Sequence, residues 1–391
     1  MAKANTTTLL DADSSGRRER QYYLGGREHS AIKHFFLEQY LEPLCFKTLQ
    51  YQKHGEPTFS YIDGFTGPWS ARDQNYTDTS FGVAINVLMR VKERLPSVRI
   101  RAVFCEERRR AYAELSRFLA SSGREIETKP IHGRFEDHIA EIQSFIGDQG
   151  FRFAFIDPTG WKVDVSAITP LLKGSWSEVV FNFMAHFIGR FPDFEYVRSA
   201  YSSLLGSIDW KSRYEALPYY LSNDEKVLQL FRDVLKEQWG FSHVLELPIR
   251  KAGHERIFYN LVYGTRSRHG VLTFREAQAK AEKEGHAVAF AAKTKDTGDL
   301  FPPEVHAEQI AAAVGVGSRG NVGLLSDAIT QHLKTKGPTD FLHLAAAVLE
   351  VVPAREKDLH GVVAKLSKMG SVTIRDPDAK GDPMRNSIIS L

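Results

Sequence analysis

Apolar and polar positions alternate along this chain in two periods, and the switches between those periods outline the fold. From Ser30 to Leu44, the residues Ile32, Phe35, Phe36, Tyr40 and Leu44 fall near helical spacing, which predicts a helix before the first strand. Lys33 and His34 lie on or beside its polar face, turned either to a ligand cleft or to solvent. Phe59, Tyr61 and Ile62 then supply aromatic and β-branched strand formers up to Asp63, where Gly64, Gly67 and Pro68 break the run into a tight loop. Strand candidates recur at 100–105, 124–131, 151–156 and 178–184. Helical stretches separate them, one capped by Thr79 or Ser80 and others beginning near Arg109, Gly133 and Ile168. Five such alternations predict a parallel sheet covered by helices on both faces.

The period changes after the fifth strand. Residues 190–240 read as a helical insertion, with Val227, Leu230, Phe231 and Leu235 at helical spacing. Two further runs, 244–248 and 257–263, flank a short basic turn and read as an antiparallel hairpin. A parallel sheet closed by a hairpin resembles the class I methyltransferases. The expected fold is therefore α/β: a doubly wound, mostly parallel, seven-stranded Rossmann-like sheet over 28–300. Three helices (322–333, 341–352 and 357–368) and two strands around a polar turn predict a winged-helix-like domain over 301–391. Residues 1–27 are rich in Thr, Ser, Asp, Arg and Gly and read as a flexible tail.

Composition narrows the class little. With 391 residues the chain can bury a sizeable core, and 51 Lys and Arg against 48 Asp and Glu leave a formal charge of only +3, too small to argue for an anionic partner. Cys45 and Cys105 sit among apolar neighbours and are too few for a metal cluster, which points to a reducing cytoplasm. No apolar run is long enough to span a membrane. The histidines show no ligand spacing, so no metal is expected.

The candidate chemistry lies at the strand ends. Asp63, Glu106, Glu136 or Asp137, and Asp157 each follow an apolar run, and in open parallel sheets ligands sit outside the carboxyl ends of the strands. Such acids suit a nucleoside: one takes the ribose hydroxyls and another accepts from the adenine amino group. The loop Gly64, Phe65 and Gly67 allows a close backbone approach. Asp63 and Glu106 are 43 residues apart, and G-x-G-x-x-G is missing, both against a nicotinamide enzyme.

Y-I-D-G-F-T-G-P-W (61–69), F-I-D-P-T-G-W (155–161), F-N-F-M (181–184), L-V-Y-G-T-R-S-R-H-G (261–270) and I-K-H-F-F-L-E-Q-Y-L (32–41) resemble the three-Cys-motif partner proteins, over about residues 28–285. That resemblance implies a methyltransferase-like fold, S-adenosylmethionine as cofactor, and a three-Cys-motif protein as a candidate partner. More distantly, Asp157-Pro158 is similar to the start of the D-P-P-Y signature of amino-methyltransferases that act on bases. Thr159 and Gly160 depart from that signature and move the aromatic one place on, to Trp161. The likeness implies that Asp157 and the Pro158 carbonyl accept from an exocyclic amine while Trp161 stacks on the base or caps the sheet.

Arg250, Lys251, Arg266, Arg268 and His269, with Arg275 nearby and aromatics interleaved, read either as a phosphate-binding rim or as a solvated edge. The leading expectation is an S-adenosylmethionine-dependent methyltransferase acting on nucleic acid, DNA or RNA, at a base amino group. The alternative is a non-catalytic subunit of the same shape that binds a partner protein or nucleic acid.

Overall fold

The computed structural model describes residues 28–52, 55–66, 76, 79–122, 125–158, 163–184, 201–206, 209–250, 257–294 and 303–391. Its centre is a seven-stranded sheet built from β1 (Thr58–Asp63), β2 (Arg99–Glu106), β3 (Glu127–His132), β4 (Phe151–Ile156), β5 (Ser177–Phe183), β6 (His243–Arg250) and β7 (Ile257–Thr265). The strand order is β3-β2-β1-β4-β5-β7-β6. Every pairing among β1 to β5 is parallel, and β7 runs antiparallel to both β5 and β6. This is the doubly wound, hairpin-closed sheet that the alternating pattern predicts.

Burial explains which strands were legible. All residues of β1 and β5 are buried, as expected for strands covered on both faces. β3 lies at the sheet edge and is mostly part-exposed, with Pro130 inside it, a residue that edge strands tolerate. Its weak sequence signal has that cause.

Two apolar layers sandwich the sheet. On one side α1 (Glu28–Tyr51) lies between α2 (Ser80–Arg94) and α8 (Arg268–Thr294). On the other side are α4 (Ile139–Ile146), α5 (Val165–Leu172) and α7 (Asn223–Glu237), while α3 (Arg109–Ser122) packs on β2 and β3. The helical segment between β5 and β6 holds α6 (Trp210–Ala216) and α7, which opens with a Ser222–Glu225 capping box. Phe231 of α7 stacks on Phe183 and tilts against Phe181, so α7 also serves as the crossover that covers the sheet.

α8 is 27 residues long and was not anticipated, because its Ala-rich faces carry little apolar periodicity. Ala277 and Ala281 are buried, and small side chains there let α1 approach closely. Beyond it come α9 (Pro303–Val314), α10 (Arg319–Lys336), β8 (Thr339–Asp340), α11 (Phe341–Val351), α12 (Glu356–Lys368), β9 (Thr373–Arg375) and β10 (Ile388–Ser390). The three short strands form an antiparallel sheet in the order β8-β10-β9, adding one strand to the expected three helices and hairpin.

This C-terminal unit shares a core with the sheet. One buried apolar cluster runs from α1 and β1 through α8 to Leu325, Leu344, Val363 and Ile389. Polar contacts reinforce the join: buried Arg275 of α8 donates to the carbonyls of Leu349 (2.8 Å) and Glu350 (3.0 Å), satisfying the last turn of α11. The Glu350 carboxylate in turn meets Lys236 and His243, each at 2.7 Å. Among the described residues, no helix is long and apolar enough to cross a membrane.

Candidate functional site

The strand order reverses direction between β1 and β4, and the two candidate acids stand at that switch point. Asp63 pairs in register with Phe104 of β2 and Phe155 of β4, and Asp157 follows β4 directly. The chain then leaves β1 by lateral hydrogen bonds, Gly64 N–H to the Phe155 carbonyl (3.2 Å) and Thr66 N–H to the Cys105 carbonyl (2.9 Å). Gly64 is needed for packing: a Cβ there would lie 2.8 Å from Cδ1 of Phe135, whose ring also meets Phe65 edge-on at 5.9 Å.

Asp63 is fully buried. Its Oδ1 accepts from the Phe65 amide at 3.1 Å, while Oδ2 has no hydrogen-bond partner among the described residues. Burial is the main force on this carboxyl, with Asp157 and Glu106 adding to it; the Phe65 amide and Lys33 oppose it, and its pKa is pushed up to about 7. Three more buried polar atoms at this edge, Tyr61 OH, Thr66 Oγ1 and Asn182 Oδ1, have no partner among the described residues. Unsatisfied buried polar atoms are costly and rare, and these cluster at the switch point, where open parallel sheets offer room for a ligand.

Asp157 is differently placed from the expectation of a free acceptor. Its Oδ2 is paired with the Lys33 ammonium and its Oδ1 accepts from Asn182 Nδ2. Lys33 and Asp157 are mostly buried, with side chains 13% and 14% exposed, and Asn182 lies at the neighbouring end of β5. The Lys33 side chain therefore faces the cleft, resolving the two readings of α1. Lys33, Phe36, Tyr40 and Leu44 share one helix face, and that spacing was the signal for an inward lysine. Asn182 was legible as the polar residue within the apolar run V-V-F-N-F.

The other expected ligand residues are spread along the same edge. Glu106 is buried at the end of β2, its Oε1 accepting from the Arg108 amide at 2.7 Å. Glu136 and Asp137 lie in the 3-10 turn after β3; the Glu136 carboxylate turns to the Asp164 amide that precedes α5 (3.4 Å), and Asp137 is exposed. Pro158 is buried. Gly67, Trp161 and Lys251 lie outside the described residues.

The basic rim is divided. β6 runs with the parallel strands, so Arg250 ends at the Asp157 edge; β7 runs against them, so Arg266, Arg268 and His269 emerge at the opposite edge. Arg266 is structural. Its guanidinium donates to the carbonyls of Leu172 (3.0 Å), Ser177 (3.3 Å) and Trp239 and lies 4.3 Å over the Phe241 ring. Arg275 is likewise spent on the α11 carbonyls, whereas Arg268 and His269 are exposed. Antiparallel β7 explains why Arg250 does not share one surface with Arg266, Arg268 and His269.

No family model and no curated protein matches the chain. Among solved structures, a Legionella pneumophila protein of the DUF519 family model is similar at 13% identity and TM-score 0.36, over 75% of this chain and 95% of that one. A DszA carbon methyltransferase is similar at 13% identity and TM-score 0.31, over 58% of this chain and 52% of that one. A loganic acid methyltransferase with SAH is similar at 12% identity and TM-score 0.27, over 68% and 67%. The strand order itself carries the fold assignment, and the site stands on its own geometry.

Proposed function

We propose that this chain is an S-adenosylmethionine-dependent methyltransferase whose cofactor site is the crevice between β1 and β4. The observation that carries the reading is Asp63, a fully buried carboxyl with one oxygen unpartnered among the described residues, at the switch point of a hairpin-closed parallel sheet. A buried carboxylate suits the ammonium at the amino-acid end of that cofactor, and Glu106 at the end of the next strand suits its ribose hydroxyls. When bound, the cofactor supplies an electrophilic methyl group. The chain's own residues supply position and charge: Lys33, Asp157 and Asn182 present a donor and acceptor set to whatever enters the rim. Nucleic acid is the acceptor class to test first, and Arg250, a cation at the same edge of the sheet as Asp157, favours it.

Calorimetric titration with S-adenosylmethionine and S-adenosylhomocysteine tests the cofactor site, with Asp63→Ala as control. Saturable binding that the variant loses is the expected result, and absence of binding by the native chain overturns the reading. Transfer of a labelled methyl group to RNA and DNA then tests the acceptor.

A second reading, a non-catalytic subunit, is favoured by one observation. Each Asp157 oxygen already accepts a hydrogen bond, one from Lys33 and one from Asn182, so an exocyclic amine has to compete with those donors there. Cofactor binding without transfer to any nucleic acid, followed by transfer once a partner such as a three-Cys-motif protein is added, would favour it.

A further inference from the structure

The edge of the sheet opposite Asp63 holds a cleft of about 360 Å³. It is built from the C-terminal half of α1, the starts of β4 and β5, the end of β7, the start of α8, and the loop between β9 and β10. Leu44, Phe151 and Trp176 line its apolar wall, and Tyr51 stands at the mouth. Trp176 is 51% exposed and Tyr51 70% exposed, large aromatic surfaces left to water beside an apolar hollow.

Two cations and an imidazole converge on that wall from different elements: Lys47 of α1, Arg385 of the C-terminal loop and His269 of α8. Arg385 is held by Glu356 in a two-pronged pair, at 3.1 Å on each side. The Lys47 ammonium donates to a neutral hydroxyl, Thr273 Oγ1 (2.7 Å), and among the described residues no carboxylate lies within ion-pair distance of Lys47 or His269. The crowding is mutual. Burial first, then Arg385 and Lys47, hold the His269 imidazole below its ordinary range, and burial and Arg385 do the same to Lys47. Glu178, the acid on the floor, is occupied by the hydroxyls of Tyr40 (2.5 Å) and Thr265 (2.6 Å).

We propose that this cleft is a second ligand site, for a small monoanion with an apolar body: a carboxylate that faces Lys47 and His269 while its hydrocarbon lies against Leu44, Phe151 and Trp176. The volume falls within the range of about 300–1,000 Å³ usual for small-molecule pockets. Fixed acids nearby, Glu178 and Glu356, limit the net positive charge, which favours one negative charge over a polyphosphate. Because its walls come from both the sheet and the C-terminal unit, an occupant bridges the two.

The test is calorimetry on the full chain with octanoate and 1-naphthoate, using octan-1-ol and octyltrimethylammonium as neutral and cationic controls. The expected result is one-to-one binding of at least one anion, weakened about tenfold or more by Lys47→Met and in the alcohol. Binding of neither anion overturns the proposal, as does equal binding of the controls or unchanged affinity in Lys47→Met. If Lys47→Met does not fold, Trp176→Ala at the exposed rim is the second variant, with a comparable loss expected and unchanged affinity counting against the site. The cleft lies at the other edge from Asp63, so this outcome is independent of the cofactor titration.

Discussion

The Lys33 ammonium binds the Asp157 carboxylate across 124 residues of sequence, tying the helix that precedes the sheet to the end of its fourth strand. Removing the cation leaves a mostly buried carboxylate with Asn182 as its remaining partner. Lys33→Met is expected to cost about 1–3 kcal/mol of stability, and Asp157→Asn in the same background to recover part of it. A double-mutant cycle by denaturant unfolding measures the coupling; a value near zero means that the pair does not form in solution.

Asp63 predicts a pH dependence with a definite sign. Its carboxyl is raised to about 7 in the folded chain, against about 4 when unfolded, so between those values the fold binds the extra proton. The ligand-free chain therefore loses stability as pH rises from about 4 to 7, by something on the order of 4 kcal/mol, and the loss is complete above 7. Asp63→Asn removes this term, so its stability relative to the native chain should improve steadily from pH 5 to pH 8. Equal pH profiles for the two proteins would contradict a buried, protonating Asp63.

Cofactor affinity should move the opposite way. The cationic ligand needs the ionised carboxylate, so binding should tighten between pH 6 and pH 8 and release a proton at the lower end. Titrations in buffers of different ionisation enthalpy read that proton directly. In Asp63→Asn both the pH dependence and the proton release should vanish.

Arg266 separates a structural from a nucleic-acid role. Its guanidinium satisfies three backbone carbonyls and covers Phe241, so Arg266→Ala should cost about 2–4 kcal/mol of stability. Nucleic-acid affinity should stay within about twofold, because the residue points into the protein at the edge away from Asp157. A large drop in affinity with unchanged stability would return it to the phosphate rim.

Gly64→Ala tests the loop after β1. The added methyl would meet the Phe135 ring at 2.8 Å, and the ring is itself buried and packed, so the expected cost is about 1–3 kcal/mol together with weaker cofactor binding. Phe135→Leu should relieve part of the strain. A neutral Gly64→Ala would show that the loop gives way instead.

The sequence by itself determined the alternation of elements and which acids end the central strands. Those features are written locally: buried strands such as β1 and β5 are rich in aromatic and β-branched residues, each breaks at a polar residue or glycine, and the helices between them repeat at their own period. Asp63 and Asp157 were therefore expected on one rim from the sequence, and the strand order puts that rim at the switch point. Local signals failed where the partner is remote. Whether Lys33 faces water or Asp157 depends on how α1 packs on the sheet, and that packing is decided by the buried Tyr40, Tyr263 and Glu178 cluster. The basic residues after β7 look like one patch in sequence, yet the reversed direction of β7 carries them to the far edge, and the carbonyls waiting there belong to α5, to the start of β5 and to the segment after α7. Residue types are read from the chain, but direction and partnership are properties of the assembled sheet.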